Sequence, residues 1–123
     1  MRVLICGGRH FDDDGLIKSE LSKLHETIPI DVLIHGGLPT IGTSAENWAR
    51  RNGVHLVRYP ANFSLGKQGD VLRDRFMLED GRADMLLVFP GGRRTAELRN
   101  HARRTDLQIF EVARETQGLA AAA

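Results

Sequence analysis

The sequence is poor in cysteine, aromatic residues and net charge, and each shortage narrows its function. A single cysteine, Cys6, in 123 residues excludes an intramolecular disulfide framework and suits a reducing cytoplasm. Aromatic residues make up 6% of the chain, too few for the stacking platform on which single-stranded nucleic acid is held. Seventeen Lys and Arg against sixteen Asp and Glu leave a formal charge of +1, so no broad basic surface awaits a polyanion. No apolar run exceeds strand length, which excludes a membrane-spanning helix. The apolar start Val3-Leu4-Ile5-Cys6 meets Gly7-Gly8-Arg9-His10 and then Asp12-Asp13-Asp14 too soon to be a secretory signal. With 41% hydrophobic and 27% charged residues, the expectation is a small cytoplasmic protein of one domain.

What the sequence does contain is a regular alternation of apolar runs and amphipathic stretches. Residues 2–6, 30–34, 54–59, 83–89 and 107–112 read as five strands. Leu16, Ile17, Leu21, Leu24 and Ile28 mark a helix over 13–27, with Asp12 or Asp13 as its N-cap. Capping explains the Asp12-Asp13-Asp14 run more simply than metal binding does. Thr43-Ser44-Ala45-Glu46 has the spacing of a capping box, so a second helix is expected to start there. It carries Ala45, Trp48 and Ala49 inward and stops at Asn52-Gly53. A polar loop over 62–69 precedes a third helix over 70–79, with Leu72, Phe76 and Met77. A fourth helix passes through Ala96, Leu98 and Ala102. Strands alternating with helices imply βαβ units and a parallel sheet covered on both faces. The fold class is therefore α/β, a single three-layer Rossmann-like domain over residues 1–115 with a mostly parallel five-stranded sheet. Residues 116–123 are expected to be a frayed tail.

Three glycine pairs, Gly7-Gly8, Gly36-Gly37 and Gly91-Gly92, each follow an expected strand. In an open parallel sheet, ligands bind at the carboxyl ends of the strands, where strand order reverses. Glycine there permits close backbone approach, and the N–H groups of the next helix can hold phosphate. The common fingerprints are missing: no G-x-x-x-x-G-K-[ST] occurs, and Gly7-Gly8-Arg9-His10 is not G-x-G-x-x-G. ATP hydrolysis at a Walker site and ordinary NAD-dependent chemistry lose support, and no cofactor is implied. No H-E-x-x-H or Cys/His cluster points to a tightly bound metal.

Pro90-Gly91-Gly92-Arg93-Arg94-Thr95 resembles the P-G-G-x-G-T motif of the SLOG superfamily, which includes LOG-type phosphoribohydrolases and DprA-like proteins. Cys6-Gly7-Gly8-Arg9-His10-Phe11, His35-Gly36-Gly37 and Ala45-Glu46-Asn47-Trp48-Ala49 are similar to its small bacterial YspA-type branch. Gly66-Lys67 and Arg73-Asp74-Arg75 with Met77 extend the likeness, which spans residues 1–112. The resemblance implies a sheet ordered 3-2-1-4-5, a nucleotide or nucleotide-derived ligand, and a homo-oligomer. Gly7, Gly8 and Arg9 would then face Pro90, Gly91 and Gly92 across one crevice, with His35, Gly36 and Gly37 beside it. Arg93, Arg94 and Thr95 would add phosphate contacts.

The sequence also departs from the family pattern. LOG-type enzymes cleave the N-glycosidic bond of nucleoside 5′-monophosphates with an arginine and a glutamate. Arg75 matches the arginine by position, but the glutamate's place in P-G-G-x-G-T-x-x-E is taken by Leu98. Glu97 is one residue early, about 100° around a helix. Arg94 replaces the second-segment glycine, and Leu38-Pro39-Thr40-Ile41-Gly42 replaces the A-R-G-A-D of the YspA-type branch. Arg73 and Arg75 point to separate helix faces, and Arg75 is the one expected in the crevice. His35 either contacts a base or fixes its turn. Cys6 is expected to be a core residue near the ligand, and Trp48 a core or interface residue.

The leading expectation is a nucleotide-binding protein, non-catalytic or weakly catalytic, acting as a sensor. One alternative is a phosphoribohydrolase using Arg75 and Glu97, and another a DprA-like nucleic-acid-binding module. The cationic segment of Arg93, Arg94, Arg99, Arg103 and Arg104 is interrupted by Glu97 and Asp106, and reads as a solvated helix face rather than a nucleic-acid surface.

Overall fold

A computed structural model describes residues 1–61 and 68–113. Its elements are β1 (Arg2–Cys6), α1 (Asp14–Thr27), β2 (Val32–His35), α2 (Pro39–Asn52), β3 (His55–Arg58), α3 (Gly69–Asp80), β4 (Met85–Val88), α4 (Arg93–Ala102) and β5 (Gln108–Glu111). The strands form one parallel sheet ordered β3-β2-β1-β4-β5. This is the Rossmann-like α/β arrangement and strand order expected. The residues at 116–123 and most of the loop at 62–69 lie outside the described residues.

Alternation along β1 divides the core. Val3 and Ile5 face a cluster with Ile17 and Leu21 of α1 and Ile41, Ala45 and Trp48 of α2. Leu4 and Cys6 face the opposite cluster, with Met77 of α3 and Leu98 and Ala102 of α4. Two helices thus cover each face, which is why Val3–Cys6 of β1 and the whole of β4 are apolar. Each fully buried Leu or Ile contributes roughly 1.5–3 kcal/mol. The edge strands β3 and β5 carry exposed His55, Arg58, Gln108 and Glu111.

Asp13 caps α1, its Oδ1 accepting the Leu16 N–H at 3.0 Å. The start of α2 differs from expectation: the helix begins at Pro39, not at Thr43. Proline suits the first helical position, where its missing N–H costs nothing. The supposed capping box is otherwise employed. Thr43 Oγ1 donates to the Pro39 carbonyl at 2.6 Å, and Ser44 Oγ donates to Asp14 Oδ1 at 2.6 Å. Glu46 turns inward to His35. Trp48 belongs to the core, 3% exposed, with its Nε1 donating to Ser22 Oγ at 2.9 Å. No helix among the described residues is long and apolar enough to cross a membrane.

Candidate functional site

With β2 on one side of β1 and β4 on the other, the chain leaves β1 and β4 in opposite directions and opens a crevice above their carboxyl ends. Its floor is held by direct contact between the two turns. The Gly8 N–H donates to the Pro90 carbonyl at 2.9 Å. A Cβ on Gly8 would lie 3.0 Å from Gly91 Cα, and one on Gly91 would lie 2.6 Å from Gly8 N. Glycine at these positions accommodates the protein's own backbone. A Cβ on Gly7 would meet Phe89 Cβ at 2.9 Å. Gly92 differs, since a Cβ there would meet nothing within 4 Å.

The crevice has a volume of about 260 Å³. Gly7, Gly8 and Arg9 line it from β1, Gly36 from β2, and Gly92, Arg93, Arg94 and Thr95 from the start of α4. Gly92 is the N-cap of α4 and brings no side chain of its own to cap that end; the first intrahelical bond runs from Ala96 N to Gly92 O at 3.1 Å. The amino end of α4, with its partial positive charge, therefore opens into the crevice.

Of the two arginines on α3, Arg73 enters the crevice and Arg75 does not. Arg73 is 8% exposed and its Nη1 donates to the Gly36 carbonyl, while its Nε donates to Asp74 Oδ1 at 2.6 Å. Met77, one turn further on, lines the same crevice. Arg75, two residues or about 200° around the helix from Arg73, is exposed and lines an adjoining cavity of about 190 Å³, which shares Asp74 and Leu98 with the crevice. Glu97 and His101 line that second cavity too, and Glu97 pairs with Arg93 at 3.3 Å. Leu98 faces the crevice, 5% exposed. The pair expected for hydrolysis thus sits together, but outside the crevice, and an aliphatic side chain occupies the motif glutamate's place.

His35 does not line the crevice. It is 2% exposed and holds its turn: the Gly37 N–H donates to Nδ1 at 2.9 Å, which leaves the proton on Nε2, 2.9 Å from Glu46 Oε2. Gly37 has φ +81°, a value that glycine alone adopts readily. Burial holds the His35 pKa below its usual value against the opposing pull of Glu46. Burial, reinforced by the Asp74 charge, pushes the Cys6 thiol far up, so Cys6 stays protonated at the crevice floor.

Ile5, Leu38 and Asp74 line the crevice without a signal in the sequence that marked them for it, and Met77 lines it although no site role was expected of it. The four-residue step from Arg73 to Met77 was the available signal, since these two share a helix face. Among the described residues no group of three His, Cys, Asp or Glu side chains is placed to hold a metal ion.

The model of the YspA, cpYpsA-related SLOG family matches residues 1–66, which run from β1 through β3. No curated protein and no solved structure matches the chain.

Proposed function

The chain belongs to the YspA, cpYpsA-related SLOG family, and from that membership and the crevice we propose that it binds a phosphate-bearing nucleotide or nucleotide-derived ligand, as a sensor. The observation that carries this reading is the amino end of α4, with glycine at its N-cap, opening into a crevice lined by Arg9, Arg73, Arg93 and Arg94. Helix amides and guanidinium groups both favour a phosphate, the latter through paired hydrogen bonds. The volume, about 260 Å³, is just below the ~300–1,000 Å³ typical of small-molecule sites, which suits a mononucleotide better than a dinucleotide. Ile5, Leu38, Met77 and Leu98 supply an apolar wall for the rest of the ligand.

The hydrolase reading asks Arg75 and Glu97 to reach the same ligand, and their position in the second cavity counts against it. The nucleic-acid reading is weakened by Glu111, which pairs with Arg99 at 2.6 Å and with Arg103 at 3.6 Å. A thermal-shift panel of AMP, ADP-ribose, NAD and cyclic nucleotides tests the proposal. Binding to the native state raises the melting temperature with ligand concentration. A flat response across the panel, repeated in Arg94→Gly, contradicts it.

A further inference from the structure

One carboxylate lines the crevice among the described residues, and it comes from α3 rather than from the motif on α4: Asp74. We propose that Asp74 accepts hydrogen bonds from the sugar hydroxyls of the bound nucleotide, so that the site prefers ribonucleotides to their 2′-deoxy counterparts. The inference rests on the nucleotide-binding reading above.

The carboxylate is held in place before any ligand arrives. Its side chain is 15% exposed, and Oδ1 accepts from Arg73 Nε at 2.6 Å. Arg73 is itself fixed by its bond to the Gly36 carbonyl. The Asp74 charge is felt by the Cys6 thiol at the end of β1, which locates it beside the crevice floor. A carboxylate has room for about four hydrogen bonds, so pairing with protein groups is compatible with accepting from a ligand hydroxyl.

An acid in a crevice otherwise lined by arginines repels a phosphate, so its use lies elsewhere on the ligand. An ionised carboxylate only accepts hydrogen bonds, and hydroxyl groups are its uncharged complement. Position along α4 indicates which hydroxyls. Asp74 and Leu98 are the two residues shared by the crevice and the second cavity. Leu98 lies three residues beyond Thr95, a rise of about 4.5 Å along the helix. A 5′-phosphate held at Gly92–Thr95 carries its sugar directly attached, and therefore at the level of Leu98 and Asp74. The position that would bear the motif glutamate is aliphatic, and a neighbouring helix supplies the acceptor instead.

The test titrates the full chain with adenosine, guanosine, cytidine and uridine 5′-monophosphates, each against its 2′-deoxy form. The same series is run on Asp74→Asn and Asp74→Ala. A hydrogen bond to a charged group is worth enough to separate the two forms by about 10-fold or more in affinity. Wild type is expected to prefer the ribonucleotide by that factor, and both variants to lose most of the preference while still binding the deoxy form. If Asp74 merely supports the fold, the variants weaken both forms together and keep the ratio, which overturns the inference. Equal affinity of the wild type for both forms overturns it without any variant. If no mononucleotide of either kind binds, the mononucleotide form of that reading falls, and this inference with it.

Discussion

The Arg73 guanidinium lies against Gly36. Its Nη1 donates to the Gly36 carbonyl, and its Cζ would be 2.8 Å from a Cβ at that position. A residue from α3 thus explains a glycine after β2, and through it the Gly36-Gly37 turn is tied to the crevice. Replacing Gly36 by Ala forces the guanidinium aside at a cost of about 1–3 kcal/mol. Gly36→Ala combined with Arg73→Ala is expected to be less destabilised than the sum of the two single changes. Urea unfolding of the four proteins in the cycle measures that coupling; strict additivity contradicts the packing described.

Gly91 and Gly92 are expected to behave oppositely despite being neighbours. Gly91→Ala drives a methyl into the Gly8 backbone and lowers the melting temperature by several degrees, about 1–3 kcal/mol. Gly92→Ala meets nothing within 4 Å and leaves the melting temperature close to wild type. A bulkier Gly92→Val intrudes on the crevice and weakens nucleotide binding in a protein that remains folded by circular dichroism.

Much of the fold was legible because parallel βαβ units advertise themselves. The five apolar runs became β1 to β5, and the glycine pairs fell at the carboxyl ends of β1, β2 and β4. The start of α2 was not legible, since Thr43 and Ser44 look like caps until Pro39 and Asp14 appear beside them in space. The choice between Arg73 and Arg75 depends on the rotation of α3 against the sheet, which Met77 fixes by packing under Cys6 and Leu98. Asp74 was unreadable for the same reason, because a charged residue in mid-helix reads as solvent-facing until its neighbours are known.

Stability is expected to depend on pH through His35. Its usual pKa is 6.5, and burial lowers it in the folded protein beside Glu46, Arg58 and Arg73. Between the folded and unfolded values the unfolded chain binds more protons, so stability falls as pH drops below about 6.5. Protonation also removes the Nδ1 acceptor used by the Gly37 N–H. His35→Gln flattens the decline of the urea midpoint between pH 6.5 and 5. Equal slopes in the two proteins contradict this role.

Glu97→Ala is expected to leave nucleotide affinity within about twofold, because Glu97 lines the second cavity and pairs with exposed Arg93. The lost surface pair costs under about 1 kcal/mol of stability. Leu98→Ala, by contrast, opens a hole beneath the crevice and costs about 2–5 kcal/mol. Calorimetric titration and thermal melts of both variants separate the two effects.

A phosphate bound as proposed sits on the amino end of α4 at the β1–β4 switch point. The most direct measurement is an amide NMR titration of the full chain with a nucleoside 5′-monophosphate. The largest shifts are expected at the amides of Gly92, Arg93, Arg94 and Thr95, with smaller ones at Gly7, Gly8 and Arg9, all saturating together. Saturable shifts confined to residues outside this crevice, or none with the adenosine, guanosine, cytidine or uridine 5′-monophosphate, would contradict it.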